Sequence, residues 1–386
     1  MTHSAPTTPA NATFDIFLST VPGLEHILLE EVIEAGFQNP VATGGGVTIH
    51  GDWVDVWRAN LTLRGPSKVL ARIGEFRAFH LAQLDKRARK FPWGDILGQA
   101  ILDEELSLKV EVNTNKKSKI YHAGAAVERI ERAIHEEFGA KIAEGLEDAD
   151  IVIKVRIDDN NLHFSIDTSG EGLHKRGHKQ AMGKAPMRET MAALALRACG
   201  YAGDEPVLDP MCGSGTFLIE AAEISRHFMA GRARSFAFEK LASYDEIAVR
   251  RMREAWKIKP SDQAFYGSDR NVNVIGFAKD NATRAGVEAL CHFTPTQVSS
   301  LERPDGPAGL VIVNPPYGAR IGKKKDLFAL YGSFGDVMRT KFKGWRVGMI
   351  TSDTQLAEAT KLPWLPTEAP IAHGGLKVKL FKTDVL

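Results

Sequence analysis

The sequence has few cysteines, no long apolar run and almost no net charge. Its three cysteines are spaced neither as metal ligands nor as a disulfide framework, and a sparse, odd set favours a reduced compartment. No apolar stretch approaches the length that crosses a bilayer. The opening MTHSAPTTPANAT lacks the charged and apolar regions of a signal peptide, so residues 1–12 are predicted to be a disordered tail. We expect a cytoplasmic protein without membrane segments.

The charge balance also excludes a globally basic nucleic-acid binder. The 49 Lys and Arg residues oppose 48 Asp and Glu residues, which leaves a formal charge of +1. A nucleic-acid partner would therefore depend on local patches. Four short basic runs are present: KRARK at 86–90, NKKSK at 115–119, HKRGHK at 174–179 and GKKK at 322–325. Taken singly, each is more typical of a solvated face than of a contact.

The first half of the chain alternates strand-like and helix-like segments. Residues 13–66 begin with FDIFLST, an alternating strand pattern, and continue with the amphipathic helix pattern of PGLEHILLEEVIEAGF. This order predicts a small ferredoxin-like α+β domain. Residues 67–170 contain a further amphipathic helix pattern and end in a hairpin pattern around DDNN, which predicts a second α+β domain.

The composition and the pattern of the sequence change after Gly170. A polar, basic and Gly-rich connector begins residues 171–386, and apolar strand-like runs then alternate with helices. The runs PVLD, AFYGSD, LVIVNPP and VGMITSD are typical of strands buried on both faces of a mostly parallel sheet. The end of the chain predicts an antiparallel edge hairpin around Gly374 and Gly375. The predicted fold class is therefore α/β for this region, after an α+β module.

The first of these strands is followed by a glycine-rich turn. In PVLDPMCGSGTF, Asp209 closes the strand, and Gly213 and Gly215 precede a helix, an arrangement that brings a ligand close to the backbone. Leu218 stands where a dinucleotide fingerprint needs its third glycine, so a dehydrogenase fits poorly. Asp209 would repel a pyrophosphate and attract a cation. S-adenosyl-L-methionine, which has a sulfonium and an ammonium group, suits this turn.

Two further positions complete a predicted nucleoside pocket. Asp269 follows the next strand, where it could accept hydrogen bonds from ribose hydroxyls; alternatively it caps the helix that starts near Asn271. Gln297 is the candidate for the adenine amine, with Ser299 as second choice, although an uninvolved loop fits equally well. Asp269 lies 60 residues after Asp209, well beyond the usual spacing of about 20, so the intervening segment is interpreted as an insertion.

The sequence VIVNPPYG predicts a second binding corner at the end of a buried strand. Two prolines, Pro315 and Pro316, supply no N–H donors, so their carbonyls and the Asn314 side chain form an acceptor-rich corner that suits an –NH2 group. Tyr317 offers a flat face to a planar ring. Alone, this motif also fits a rigid turn. Beside a nucleoside pocket it predicts methyl transfer to the exocyclic amine of an extruded base, without a metal ion.

DPMCGSGTFLIEAA, Asp269 and NPPYG resemble the class I S-adenosylmethionine-dependent methyltransferases of the guanine N2 amine in RNA. LHKRGHK and APMRETMAALAL before DPMCGSG resemble the THUMP-domain enzymes among them, and VPGLEHILLEEV, GGGVTIHGD and FSIDTSGEGLHKRG are similar to that family's front module. The resemblance implies a Rossmann-like domain with a mostly parallel seven-stranded sheet, preceded by ferredoxin-like and THUMP domains. NPPY itself is shared with adenine-N6 and glutamine methyltransferases.

The resemblance also implies roles for individual residues. Cofactor contacts are expected at Asp209, Gly213, Ser214, Gly215, Thr216, Asp269, Gln297 and Asn314, and target-amine contacts from Asn314 through Tyr317. Gln297 departs from the acid that the family usually has there. Structured RNA, either tRNA or rRNA, is the expected substrate of a monomeric enzyme. An adenine-N6 methyltransferase and a non-catalytic RNA-binding protein remain the alternatives.

Overall fold

The computed structural model describes residues 13–98, 106–180, 187–317 and 324–386. The predicted tail at 1–12, the end of the connector at 181–186 and residues 322–323 of the GKKK run lie outside these ranges. The amino-terminal part contains β1 (Phe14–Ser19), α1 (Glu25–Glu34), β2 (Val41–Thr43), β3 (Gly46–Gly51), α2 (Trp53–Thr62), β4 (Lys68–Arg77), α3 (Leu81–Ala88), β5 (Ser107–Thr114), α4 (Ala123–Phe138), β6 (Lys141–Ile142), β7 (Ile151–Asp158) and β8 (Asn161–Asp167).

These strands form one sheet of eight, in the order β2-β3-β1-β4-β8-β7-β5-β6. The predicted hairpin around DDNN is the antiparallel pair of β7 and β8, in which Asp158 pairs with Asn161. The ten-residue β4 pairs with β1 along one edge and with β8 along the other. The sheet therefore runs through the predicted border between residues 66 and 67, and that border stays a prediction.

The carboxy-terminal part carries the second sheet. Its elements are α5 (Glu189–Ala198), β9 (Val207–Asp209), α6 (Thr216–Ser225), α7 (Glu246–Ala255), β10 (Phe265–Ser268), α8 (Val272–Ala285), β11 (Cys291–Thr294), β12 (Leu310–Val313), α9 (Lys324–Lys341), β13 (Arg346–Thr351), α10 (Thr354–Ala359), β14 (Ile371–His373) and β15 (Leu376–Lys382). Short 3-10 turns occupy Trp93–Asp95, Ala237–Lys240, Glu288–Leu290 and Val298–Ser300.

The seven strands of this sheet follow the order β11-β10-β9-β12-β13-β15-β14. The neighbours from β11 to β13 are parallel, whereas β15 is antiparallel to both β13 and β14. This confirms the predicted Rossmann-like fold with a mostly parallel seven-stranded sheet and an edge hairpin at its end. The four residues of β12 are all buried, as expected for a strand covered on both faces. None of the helices within the described residues has the length and hydropathy needed to cross a bilayer.

The segment between α6 and β10, predicted to be an insertion, joins the two sheets. The N–H of Gly231 donates to the carbonyl of Leu61 at 2.9 Å, and that of Phe238 donates to Thr168 at 3.0 Å. Lys240 Nζ lies 2.6 Å from Asp150 Oδ1. The long spacing between Asp209 and Asp269 therefore accommodates a segment that packs against α2 and the ends of β7 and β8 in the amino-terminal part.

A buried group of charges lies at the same junction. Arg64, which follows α2, places Nη1 2.6 Å from Glu220 Oε1 and 3.1 Å from Glu223 Oε2 on α6. Arg176 of the connector donates from Nη2 to Glu220 Oε1 at 3.1 Å and to the Arg64 carbonyl at 2.8 Å. Burial raises the pKa of Glu223, but the charges of Arg64 and Arg232 outweigh it and hold that pKa below its ordinary value.

Candidate methyl-transfer site

Asp209 is the last residue of β9 and lies in the interior. Its side chain is buried, and one carboxylate oxygen accepts the N–H of Met211 at 3.0 Å. Burial raises the pKa of this carboxyl to about 8, and the charge of Asp269 adds to the rise. A buried carboxylate is costly when no cation compensates it, so this position favours a positively charged ligand group.

The turn after Asp209 needs glycine for its backbone shape. Gly213 and Gly215 have φ angles of +51° and +84°, in the left-handed region that glycine adopts without strain. A Cβ on Gly215 would also lie 3.1 Å from the Phe293 ring and 3.2 Å from Ala278. A Cβ on Gly213 would have no atom within 4 Å, so the open side of the turn is at Gly213, whereas Gly215 packs against its neighbours at the start of α6.

Two polar groups fix this turn from outside. Asp269, directly after β10, accepts the N–H of Gly213 at 3.2 Å with one oxygen and the N–H of Asn271 at 2.9 Å with the other. Asn271, not Asp269, caps α8, so the alternative role considered for Asp269 is wrong. Asn281 of α8 donates to the carbonyl of Ser214 at 3.1 Å. Asp269 therefore ties two strand-end loops together at the predicted pocket.

Asn314 follows β12, the neighbour of β9. Its Oδ1 atom is buried and has no hydrogen-bond partner among the described residues. Ser268 Oγ, at the end of β10, is also buried, and it likewise has no hydrogen-bond partner among the residues that the structure describes. Buried polar atoms of this kind are costly unless a ligand satisfies them. Asp209, Ser268 and Asn314 thus line up at the carboxyl ends of three adjacent strands, the edge where open α/β sheets bind ligands.

The residues Pro315, Pro316 and Tyr317 of the NPPY corner differ in their burial and in their contacts. Pro315 is buried, whereas Pro316 and Tyr317 are half-buried. The carbonyl oxygen of Pro316 lies 3.3 Å from Tyr331 Oη, so one of its two acceptor positions is already engaged within the protein. Burial raises the pKa of the Tyr317 phenol, which keeps it neutral at physiological pH. The ring of Tyr317 packs on the core and remains partly exposed.

Gln297 is less well placed than the other predicted residues. The strand β11 ends at Thr294, and Gln297 is exposed at the start of the 3-10 turn Val298–Ser300. Its side chain makes no hydrogen bond within the described part of the chain. Ser299, the second choice, is exposed as well. Contact of either residue with adenine stays a prediction.

The residues present fit S-adenosylmethionine. Asp209 is a buried acid suited to an ammonium group, Asp269 follows the next strand, and the space next to Gly213 is free of other atoms within 4 Å of a Cβ built there. Across residues 13–98, 106–180, 187–317 and 324–386, no group of three or more His, Cys, Asp or Glu side chains could hold a metal ion.

Four supporting residues escaped the sequence analysis. Asn281 and Tyr331 lie within helices, where the sequence pattern does not distinguish them from other helical residues. Ser268 and Thr351 are the last residues of apolar strands. Thr351 Oγ1 lies 3.3 Å from Tyr331 Oη, which connects β13 to the NPPY corner. Of these four, only Ser268 could have been identified from the sequence as a candidate site residue, because it directly precedes Asp269.

Family profiles match both parts of the chain. A profile described as the RMKL-like methyltransferase domain matches residues 176–369, and one described as the RlmL ferredoxin-like domain matches residues 15–70. These matches agree with the resemblance that the motifs indicated. The first match includes the strands β9 to β13 and ends before the hairpin of β14 and β15, and the second runs from β1 to the start of β4.

Two curated relatives show how far the similarity extends. The chain is 31% identical over 390 residues to a Synechocystis protein provisionally named an RNA methyltransferase, a match that covers 98% of this chain and 99% of that protein. It is 32% identical over 359 residues to the ribosomal RNA large subunit methyltransferase K/L of Vibrio campbellii, covering 89% of this chain and 49% of that protein. The chain therefore spans about half the length of the K/L relatives.

Two solved structures share the whole architecture. A Listeria monocytogenes protein described as a predicted N6-adenine-specific DNA methylase superposes with a TM-score of 0.84 at 28% identity and covers 97% of both chains. SMU.472, provisionally described as a methyltransferase and crystallised with S-adenosylhomocysteine, superposes with a TM-score of 0.82 at 25% identity. That match covers 97% of this chain and 98% of the other.

Proposed function

The chain belongs to the RMKL-like methyltransferase family, and we propose that it methylates the exocyclic N2 amine of a guanosine in structured RNA. S-adenosyl-L-methionine is its cofactor. The observation that carries the proposal is the buried Oδ1 of Asn314, which follows β12 and lacks a hydrogen-bond partner in the part of the chain that the structure describes. It lies one strand from the buried carboxyl of Asp209. An amine acceptor and an ammonium acceptor thus stand side by side at one sheet edge.

The acceptor at Asn314 can make the guanine N2 amine, which is a poor nucleophile, more reactive. The lone pair of a guanine N2 amine is delocalised into the ring, and hydrogen bonds accepted from its two hydrogens favour a pyramidal nitrogen with a localised lone pair. We assign one acceptor to Asn314 Oδ1 and the other to the backbone carbonyls of Pro315 and Pro316. Tyr317 stacks on the base and fixes its plane. S-adenosylmethionine, when bound, supplies an electrophilic methyl group.

The cofactor side of the site is assigned to the glycine turn and its neighbours. We propose that Asp209 binds the ammonium group and that Asp269 binds the ribose. The backbone from Gly213 to Thr216 lies against the ligand, with Gln297 beside the adenine. These assignments follow the positions of the residues at adjacent strand ends. Their common effect is to hold the methyl group in line with the amine, which is catalysis by positioning.

RNA is the substrate that the relatives' names and the amino-terminal sheet favour. Base extrusion is needed before a paired guanosine can reach Asn314, and an RNA loop lowers that cost. We propose that residues 67–170 form the THUMP domain and grip structured RNA, either tRNA or rRNA. We further propose that the enzyme is a monomer in the cytoplasm. Light scattering during gel filtration tests the oligomeric state.

The decisive experiment is methyl transfer onto RNA from a strain that lacks the protein. Tritiated S-adenosylmethionine is offered with total tRNA and, separately, with rRNA, and labelled nucleosides are identified by mass spectrometry. N2-methylguanosine supports the proposal. N6-methyladenosine, the outcome that the Listeria protein's description suggests, would replace it with an adenine-N6 activity. No transfer, together with no heat from S-adenosylhomocysteine in calorimetry, would indicate a non-catalytic RNA-binding protein.

A further inference from the structure

The hairpin of β14 and β15 reaches the same edge of the sheet as the site. Thr351, the last residue of β13, pairs with Lys379 of the antiparallel β15. The residues before Lys379 therefore extend beyond the carboxyl end of β13. His373 pairs with Leu376, which places the Gly374–Gly375 turn farther out on that edge. The turn thus stands beside the strand ends that carry Asp209 and Asn314.

Side-chain contacts connect β13, the strand that pairs with this hairpin, to the NPPY corner. Val313 pairs with Met349, so Asn314 lies about level with the end of β13. Tyr331 Oη lies 3.3 Å from the Pro316 carbonyl oxygen and 3.3 Å from Thr351 Oγ1. Since neighbouring strands lie about 4.8 Å apart, Lys379 is roughly 10 Å from the strand that ends at Asn314. We therefore expect the nucleotide strand that delivers a base to Asn314 to run close to this hairpin.

The lysines of the hairpin share one face of the sheet. Val378 and Phe381 are buried in different core clusters, one on each face. Because side chains alternate along a strand, Lys377 and Lys379 are on the face of Phe381, which α9 and α10 cover. Lys324 and Lys325 are exposed in the first turn of α9, one of the two helices that cover this face, and Lys324 Nζ lies 3.4 Å from Gln355 Oε1 of α10.

The lysines of this group have no acidic partner among the described residues. Among the described residues, Lys325, Lys377 and Lys379 form no ion pair, whereas Lys382 at the other end of β15 lies 2.9 Å from Glu368. The neighbouring Asp353 has an oxygen that caps α10 by accepting the N–H groups of Gln355 and Leu356. A second acid, Asp326, is exposed in the first turn of α9. The four lysines named here outnumber these two acids.

We propose that Lys377 and Lys379 of this hairpin bind the RNA phosphates that flank the methylated nucleotide, opposite Lys324 and Lys325. This inference rests on the proposed function of the site. Unpaired lysines at the mouth of a base pocket supply affinity that does not depend on sequence. They hold the strand in register while the extruded base reaches Asn314. The hairpin is therefore a positioning element, and neither lysine is a catalytic residue.

The test compares the double variant Lys377→Glu/Lys379→Glu with Lys343→Glu. Lys343 is an exposed lysine just before β13, at the amino-terminal end of that strand. Its replacement by Glu therefore changes the charge by the same amount per residue, but at the end of the sheet away from the candidate site. Methyl transfer to total tRNA and to rRNA from the deletion strain is measured against RNA and KCl concentration. We expect the double variant to raise KM for RNA roughly tenfold, and to reduce the salt slope by about 2, with kcat retained.

Lys343→Glu should keep the wild-type KM for RNA and the wild-type salt slope. The affinity for S-adenosylhomocysteine should stay at the wild-type value in every variant. The single variant Lys377→Glu, which changes an exposed residue, should show about half of the change in salt slope without loss of thermal stability. Wild-type KM and salt slope in the double variant would overturn the inference. If the wild-type protein transfers no methyl group, the proposed function fails, and filter binding of the same RNAs to the same variants still decides the role of the hairpin.

Discussion

Asn314 and Asp209 hold polar atoms that folding has removed from water without full compensation. Asn314 Oδ1 has no partner among the described residues, and burial raises the pKa of Asp209 to about 8. Both arrangements cost free energy of folding, and both are offset when a ligand donates the missing hydrogen bond or positive charge. Such costs at adjacent strand ends are typical of a binding site.

Replacing Asn314 by Ala should separate catalysis from cofactor binding. The variant loses the acceptor for the target amine, so we expect kcat to fall by about 10² to 10³. The affinity for S-adenosylhomocysteine, measured by calorimetry, should remain within about twofold, since Asp209 and the glycine turn are unchanged. A loss of cofactor affinity as large as the loss of rate would assign Asn314 to the cofactor instead of the base.

The raised pKa of Asp209 predicts a proton release on cofactor binding. Below about pH 8 the free carboxyl is protonated and neutral, whereas an ammonium group binds its charged form. We therefore expect the affinity for S-adenosylhomocysteine to fall as the pH is lowered from 8 to 6, by up to about tenfold per pH unit.

Calorimetry at pH 7 in buffers of different ionisation enthalpy measures that proton directly. Asp209→Asn keeps the shape of the side chain and should bind more weakly at pH 8 without releasing a proton. An affinity that is flat with pH in the wild-type protein would remove Asp209 from the ammonium site.

Between β9 and α6, the turn that follows Asp209 has a shape that depends on two glycines and on contacts from other elements. Gly215 combines a φ of +84° with close approach to Phe293 of β11 and Ala278 of α8. Asp269 and Asn281 hold the same turn through Gly213 and Ser214. The loop is therefore rigid because three elements constrain it, and its ligand groups are positioned in advance.

Gly215→Ala tests this constraint, with Gly286→Ala as the matched control. Gly286 ends α8 with a φ of +70°, but a Cβ there would have no atom within 4 Å. We expect the control to lose about 1 kcal/mol of unfolding free energy from the left-handed backbone alone, and Gly215→Ala to lose about 2 kcal/mol or more. Urea unfolding measures both values, and equal losses would show that the contacts with Phe293 and Ala278 carry no strain.

Over the whole molecule, the two sheets act as one body because the insertion and the connector both cross between them. Arg234 in the insertion donates to the carbonyls of Ser169, Glu171 and Gly172 after β8. The buried Arg64, Glu220 and Glu223 add charge pairs at the same junction. The surface that we propose for RNA binding, residues 67–170, is thereby kept at a fixed distance from the candidate methyl-transfer site.

Arg64→Ala should destabilise the junction far more than a surface change does. It leaves Glu220 and Glu223 buried with fewer cations, so we expect a loss of about 3 kcal/mol in unfolding free energy. Arg250→Ala is the control, because Arg250 is exposed and lies 3.9 Å from Glu246, and it should cost under about 1 kcal/mol. Similar urea midpoints for the two variants would contradict a structural role for the buried pairs.

Much of the architecture was predictable because periodicity and turn residues are local signals. The strands ending at Asp209 and Val313, and the hairpin around Gly374 and Gly375, were predicted from apolar runs and glycine. The pairing of β4 with both β1 and β8 was not, since a strand's pattern does not name its partners. Tyr331 was missed because a helical tyrosine beside leucines resembles any core residue.

The sequence by itself determined the class of chemistry, since an acid before a glycine turn and an acceptor-rich NPPY corner are written in consecutive residues. It also placed both motifs at the ends of buried parallel strands, because burial on two faces requires continuous apolar runs. Only the tertiary structure decided that Asn314 Oδ1 has no hydrogen-bond partner among the described residues, that Asp269 accepts the N–H of Gly213, and that the lysines of β15 lie two strands from β12, the strand before Asn314. Each of these depends on strand order and on distances between residues far apart in the chain, which local patterns do not encode.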